Sequence, residues 1–257
     1  MENDAEKIYF QWEYTPANYF EQEVRIDANE FSGFIKDGTV QVHPKPGSVI
    51  SDELRELVAE EVKVCFQTRK MLKRAPYNLN GPVVCTETVS GTKRIMFTTV
   101  VDTAISGSID FTVVDSEGNV ISDSKKERIE RESHFLDKVT RGAGRSKLVR
   151  ALVQSYSNSV DDSANELIYL GEISEALEKE FGKISLVAKV LGVEQDRIGR
   201  LYNLSSKDGI STGRHRGRRI TSLSKPPQEE ISRAREVAKE LIAAYASFVS
   251  GEGNRSE

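Results

Sequence analysis

The chain is poor in the residues that mark several common protein classes. Its 257 residues include only two cysteines, Cys65 and Cys85, too few for a disulfide framework and too isolated for a zinc site. No run approaches the roughly 18 consecutive apolar residues that a membrane-spanning helix needs. The first residues, MENDAEK, are acidic and polar, the reverse of a secretory signal. We therefore expect a cytoplasmic protein that does not enter a membrane.

Familiar catalytic and cofactor motifs are also missing. The sequence has no glycine-rich loop of the nucleotide-binding type, no serine nucleophile elbow and no cluster of metal ligands. The stretch DSEGNVISD, residues 115–123, lacks the length and ligand spacing of a calcium loop. We therefore expect no metal and no cofactor. Because these motifs are absent, the sequence indicates no catalytic residue.

The charge is distributed unevenly. The net charge is −4, with 17 basic and 24 acidic residues in 1–140 but 19 and 16 in 141–257. Residues 183–219 hold nine basic and three acidic residues, a local charge of +6. A cationic window on an acidic chain favours an anionic partner. The alternative is neutralisation of this window by the acidic stretch 161–180.

Strand patterns dominate residues 1–124. Runs rich in β-branched and aromatic residues alternate with turn signals, of which Asp37-Gly38 is the strongest. Further hairpin turns are expected at 90–92 and at 116–119. The pattern predicts an antiparallel sheet.

Helical spacing of apolar residues predicts the other elements. Within the sheet domain it predicts one helix from Asp52 to Lys73, with Ser51 as its N-cap. After that domain, the expected helices cover 126–140, 146–156, 163–182, two short segments within 184–203, and the segment after Pro226-Pro227. Ser163 and Glu166 are expected to form a capping box.

The predicted fold class is α+β, with an N-terminal antiparallel sheet domain that includes one packed helix and an all-α C-terminal bundle. The domains are expected at 1–124 and 125–250. A flexible tail is expected at 251–257.

Residues 184–203 contain two short helical patterns separated by a glycine. Ala188 stands where two helices would cross closely, and Gly192 follows where a positive φ is needed. The apolar positions that would lock the helices together are Val187, Leu191, Val193, Ile198 and Leu201. This segment resembles the prokaryotic helix-turn-helix family, which implies DNA binding through the second helix.

The resemblance implies that 194–203 is the recognition helix. The side chains expected on or beside its exposed face are Gln195, Arg197, Gly199, Arg200 and Asn203. Gln and Asn can pair with adenine, and Arg can pair with guanine. Glu194 and Asp196 depart from a phosphate-binding pattern and are interpreted as helix caps. The alternative is two bundle helices joined by a glycine turn.

The motif GRHRGRR, residues 213–219, adds a dense cationic stretch. The nucleic-acid-binding residues expected here are Arg214, His215, Arg216, Arg218 and Arg219. Guanidinium groups bind phosphate bidentately, and no apolar core would accept four of them. DNA or RNA is therefore the expected partner. A solvated loop that pairs with acids such as Glu172 is the alternative.

The segments RSKLVRALVQSYSNSV, SANELIYLGEISEALEKEFG and GRHRG resemble the C-terminal region of uncharacterised bacterial proteins with HEPN-like helical domains. The resemblance spans about residues 145–248 and implies a helical fold. HEPN nucleases carry an arginine some four to six residues before a histidine on one helix, whereas here Arg214 directly precedes His215. The nuclease spacing is absent, so His215 is interpreted as a binding or structural residue.

Three functional hypotheses follow. The leading one is a cytoplasmic nucleic-acid-binding protein, a regulator or a host-defence component, that binds phosphates through 183–219. The others are a HEPN-like ribonuclease that uses His215, and a non-catalytic protein-interaction module. A homodimer is expected under all three, because helical bundles with exposed seams self-associate.

Overall fold

A computed structural model of the chain describes residues 7–88, 91–94, 112–114, 120–206 and 226–251. The chain divides into two compact units, of which the first comprises Met1–Lys63 with Ala75–Ser133 and the second Val64–Arg74 with His134–Glu257. The fold class is α+β as predicted, with an antiparallel sheet in the N-terminal part and helices in the C-terminal part.

The N-terminal unit contains a six-stranded antiparallel sheet. Its strands are β1 (Lys7–Thr15), β2 (Val24–Asp27), β3 (Phe31–Lys36), β4 (Thr39–Pro44), β5 (Asn78–Thr88) and β6 (Gly91–Arg94). They lie in the order β2-β3-β4-β1-β5-β6. Phe10 of β1 pairs in register with Val42 of β4 and Val84 of β5. Phe10 and Val42 are fully buried, so β1 lies in the middle of this core.

The predicted hairpin at Asp37-Gly38 is confirmed, since these two residues alone join β3 to β4. Both adopt left-handed backbone conformations, with φ of 46° at Asp37 and 84° at Gly38. A tight type I′ turn requires this conformation at both positions. Gly91 was expected in the second turn, but it pairs with Thr88 as the first residue of β6. The pairing of β5 with β6 thus continues closer to the turn than the sequence pattern predicted.

The third predicted hairpin forms a separate two-stranded sheet. Its strands are β7 (Thr112–Val114) and β8 (Val120–Asp123), which pair antiparallel. The predicted turn at 116–119 lies outside the described residues.

Helix α1 runs from Asp52 to Lys73, which are the predicted bounds. The Leu54 N–H donates to Ser51 Oγ at 3.2 Å, which confirms Ser51 as the cap. The residues of α1 up to Lys63 belong to the first compact unit, and those from Val64 onward belong to the second. The sequence did not predict this division, because the apolar spacing continues unbroken through both halves.

Six helices are described in the C-terminal part of the chain. They are α2 (Ser124–Arg145), α3 (Lys147–Asp161), α4 (Glu166–Phe181), α5 (Ile184–Leu191), α6 (Gln195–Ser206) and α7 (Gln228–Ser250). Helix α4 contacts α3, α5, α6 and α7, so it is the central helix. Its fully buried stripe consists of Leu167, Leu170, Ile173 and Leu177. These residues belong to the core of the helical unit.

The predicted capping box of Ser163 and Glu166 is wrong. Residues Ser163–Asn165 form a separate 3-10 turn, and the Asp162 carboxylate accepts a hydrogen bond from the Asn165 N–H at 3.2 Å. Helix α4 begins only at Glu166. The Glu166 carboxylate does not reach back to the turn because two arginine side chains bind it in the interior.

The domain boundary predicted at residue 124 stays a prediction, since it concerns fragments that fold alone. Helix α2 begins at Ser124, whereas the compact units divide at Ser133, inside α2. Limited proteolysis that releases a stable helical fragment beginning between about residues 120 and 145 would support the boundary.

Candidate nucleic-acid interface

Helices α5 and α6 are separated by a turn at Gly192. This residue has φ 69° and ψ 21°, the left-handed conformation that was predicted. A Cβ built at this position would meet nothing within 4 Å. Glycine is therefore needed for the backbone conformation and not for space. The two short helices and the turn lie where the sequence predicted them.

The inner faces of α5 and α6 belong to the core of the helical unit. The predicted locking residues that are buried are Val187, Val193, Ile198 and Leu201. Ala188 and Leu191 are partly buried against the same core. Because Ile198 and Leu201 point inward, the opposite side of α6 must point outward.

The outward face of α6 is polar. At 3.6 residues per turn, positions 195, 196, 199, 200 and 203 lie away from the buried residues. The exposed side chains among them are Gln195, Asp196, Arg200 and Asn203. Asp196 was interpreted from the sequence only as a helix cap, yet its carboxylate lies on the same face as the predicted base contacts.

Arg197 lies on the side of α6 that faces α7. Its guanidinium Nη2 is 2.7 Å from Glu240 Oε2, and each of the two side chains is 39% exposed. Among the described side chains that were predicted to contact bases, Arg197 is the one that forms an ion pair. Arg200, which lies one turn further along, forms no ion pair with the described residues.

A groove of about 1180 Å³ separates α6 from the N-terminal half of α7. On the α6 side its charged residues are Glu194, Arg197 and Arg200. On the α7 side they are Glu229, Glu230, Arg233 and Glu236, with Arg233 paired to Glu229. The α6 wall thus has an excess of one positive charge and the α7 wall an excess of two negative charges. A polyanion is expected to avoid the α7 wall.

The other predicted binding residues lie outside the described residues; they are Arg214, His215, Arg216, Arg218 and Arg219. Within 183–206, which the structure describes, the basic residues are Lys183, Lys189, Arg197 and Arg200. They are opposed by Glu194 and Asp196, so this part carries +2 of the +6 in the predicted window. Lys183 and Lys189 are exposed.

A charged cluster in the interior, at the beginning of α4, was not predicted. Arg235 of α7 donates to both oxygens of the Glu166 carboxylate, from Nε to Oε1 at 2.6 Å and from Nη2 to Oε2 at 2.8 Å. The Arg74 Nη2 is 2.9 Å from Oε1 of the same carboxylate. Nearby, burial raises the pKa of Tyr156 to about 12, and the positive charge of Arg74 partly opposes this rise. No sequence pattern connects these residues, because only tertiary packing brings them together.

None of the described helices combines the length and the apolar character that a bilayer crossing requires. In the part of the chain that the structure describes, no three His, Cys, Asp or Glu side chains are grouped as metal ligands. Cys65 and Cys85 are both unbridged and buried.

No family model, curated protein or solved structure matches the chain.

Proposed function

We propose that the protein binds nucleic acid through its helical unit, with α6 as the helix that contacts the bases. The observation that carries this proposal is the exposed polar face of α6, whose orientation is fixed by buried residues on the opposite side. Gln195, Arg200 and Asn203 lie on this face and are accessible to a ligand.

The hydrogen-bonding groups of these side chains suit the edges of bases. Glutamine and asparagine present a donor and an acceptor side by side, which matches adenine, and the fork of arginine matches guanine. The major groove of B-DNA, about 12 Å wide, admits a helix of this kind. Gln195 and Asn203 are accordingly assigned to adenine and Arg200 to guanine.

Phosphate binding is assigned to basic residues on either side of α6 in the sequence. Lys183 and Lys189 are exposed before it. The four arginines of 213–219 follow it in the sequence, and arginine binds phosphate bidentately. Contacts of this kind supply affinity without sequence preference and make binding sensitive to salt.

The acidic wall of α7 restricts the direction from which nucleic acid approaches. Glu229, Glu230 and Glu236 lie across the groove from α6 and would repel a phosphate backbone placed there. Because Arg200 and Asn203 also border this groove, the ligand is expected to contact them from the solvent side, with its phosphates kept away from α7.

The proposed setting is the cytoplasm, where the protein would act as a regulator or a host-defence component, as a homodimer. Two buried, unbridged cysteines fit a reducing compartment.

Leu186 and Val190 of α5 are 38% and 42% exposed and supply apolar surface for self-association. Size-exclusion chromatography with light scattering is expected to give twice the monomer mass. A monomer at every concentration would contradict the dimer.

Fluorescence anisotropy with labelled duplex DNA, single-stranded DNA and RNA of one mixed sequence tests the proposed binding. Between about 50 and 300 mM salt, log K is expected to fall linearly with log salt, by about 0.9 for each B-DNA phosphate neutralised. Arg200→Gln is expected to weaken binding. The matched control is Arg233→Gln, which removes the same charge from α7, where Arg233 is paired with Glu229.

The control is expected to bind like the wild type. The proposal fails if no nucleic acid binds at the lowest salt. It also fails if the two variants weaken binding equally, because the outward face of α6 would then have no special role.

A further inference from the structure

Arg197 occupies the flank of α6 rather than its outward face. It follows Asp196 by one position, which turns its side chain by about 100° around the helix axis. The turn brings it to Glu240 of α7, at 2.7 Å. Arg200 lies one turn further along and also lines the groove, but of these two arginines Arg197 is the one that a carboxylate of α7 holds.

The ion pair between Arg197 and Glu240 is not needed for the position of α6. Both side chains are 39% exposed, so water and salt screen their attraction and its contribution to stability is small. Ile198 and Leu201, which are buried in the core, already fix the helix.

Phosphate competes poorly with Glu240 for this arginine. To reach Arg197 in its present position, a phosphate would have to enter the groove beside Glu230 and Glu236 of α7. Repulsion from these carboxylates opposes that approach. The ion pair should therefore persist while nucleic acid is bound at the outward face.

We propose that Glu240 withholds Arg197 from nucleic acid and thereby lowers the affinity of the protein. This inference rests on the proposed function. Without the carboxylate of Glu240, the long and flexible side chain of Arg197 is free to turn toward the border of the interface. There it reaches the phosphate backbone rather than base edges. Glu240 is thus an autoinhibitory residue that does not itself contact the ligand.

Glu240→Gln tests this role, because it keeps the size of the side chain and removes its charge. With duplex DNA, the variant is expected to bind about two- to fivefold more tightly than the wild type. Its log–log salt slope is expected to be steeper by about 0.9, the contribution of one additional phosphate contact. The matched control is Glu230→Gln, since Glu230 also lies on α7 and forms no ion pair with the described residues. The control is expected to leave the slope unchanged.

Arg197→Gln provides the second arm of the experiment. In the wild-type background it is expected to leave the salt slope unchanged, because Arg197 contacts no phosphate there. In the Glu240→Gln background it is expected to abolish both the gain in affinity and the steeper slope. Thermal midpoints within about 2 °C of the wild type would show that the variants are folded.

Two results would overturn the inference and leave the proposed function standing. One is equal binding by Glu240→Gln and Glu230→Gln. The other is a flatter slope for Arg197→Gln in the wild-type background, which would mean that Arg197 already contacts phosphate. If neither the wild type nor Glu240→Gln binds at low salt, the proposed function is wrong and the inference with it.

Discussion

A Cβ at Gly171 of α4 would lie 2.5 Å from the Cβ of Ser205 in α6. The two helices therefore approach so closely that a methyl group does not fit between them. Ser205 is fully buried, and its hydroxyl donates to the carbonyl oxygen of Tyr202 at 2.8 Å, within α6. This contact helps to fix the position of α6, and with it the outward face that carries the proposed base contacts.

Gly171→Ala is expected to destabilise the helical unit. The added methyl group collides with a buried side chain, which typically costs about 1–3 kcal/mol. The control is Gly199→Ala on α6, where a Cβ meets nothing within 4 Å; it should stabilise the helix by up to about 1 kcal/mol. Urea unfolding measures both changes. If Gly171→Ala is as harmless as the control, α4 and α6 do not pack this closely.

Glu166→Gln is expected to be far more destabilising than the same change at the surface. The substitution leaves the largely buried guanidinium groups of Arg74 and Arg235 without a counter-charge, a loss of about 3–5 kcal/mol. Glu229→Gln removes the partner of Arg233 from an exposed pair and should cost less than about 1 kcal/mol. Chemical denaturation at neutral pH compares the two variants. Equal losses would contradict a buried network at this position.

Tyr156 is expected to make the protein less stable at alkaline pH. Burial raises the pKa of Tyr156 from 10.0 to about 12, so the unfolded chain releases the phenolic proton at a lower pH than the folded chain. The stabilisation is complete below pH 10 and is lost as the pH rises toward 12, by about 1.3 kcal/mol at pH 11. The Tyr156→Phe variant has no phenolic proton to release at this position. Its free energy of unfolding should therefore not show this part of the decrease at alkaline pH.

Unfolding free energies near pH 9 and near pH 11 test this expectation. The wild type is expected to lose more stability between the two conditions than Tyr156→Phe does. An equal decrease in both proteins would mean that the Tyr156 phenol titrates alike in the folded and unfolded chains.

Features with a short-range cause could be predicted from the sequence. The bounds of α1 follow from a serine cap and the spacing of apolar residues, and the turns at Asp37-Gly38 and Gly192 follow from residues that tolerate a positive φ. In each case the determining residues lie within a few positions of one another. Local preference and the final fold agree at these positions.

Features that depend on distant partners could not be predicted. Glu166 has the position and type of a capping-box residue, yet its partner Arg235 is 69 residues away. Helical geometry places Arg197 and Arg200, three positions apart, as neighbours on one side of α6. It does not indicate that α7 brings Glu240 to that side, because the packing of α7 depends on the whole core.

Base recognition and phosphate binding are expected to respond differently to substitution. Gln195→Ala or Arg200→Ala should change the preference among DNA sequences by about 1–3 kcal/mol for each base that the variant no longer recognises. Replacing Arg216 and Arg218 together by Ala should weaken binding to all sequences alike and flatten the salt slope by about two units. Competition anisotropy with a panel of duplexes distinguishes the two effects. Uniform weakening by all four substitutions would place the binding on the backbone and reject base recognition.

His215 is expected to contribute to binding and not to catalysis. Phosphodiester cleavage by a histidine needs a second group to complete the proton transfers, and the sequence places no arginine at the HEPN nuclease spacing before His215. Labelled RNA should therefore stay intact with the wild-type protein, with or without divalent metal. His215→Ala should weaken RNA binding by about fivefold, the effect of one hydrogen bond of about 1 kcal/mol, whereas His134→Ala on α2 should not. RNA cleavage that His215→Ala abolishes while binding persists would instead establish a ribonuclease with His215 in its active site.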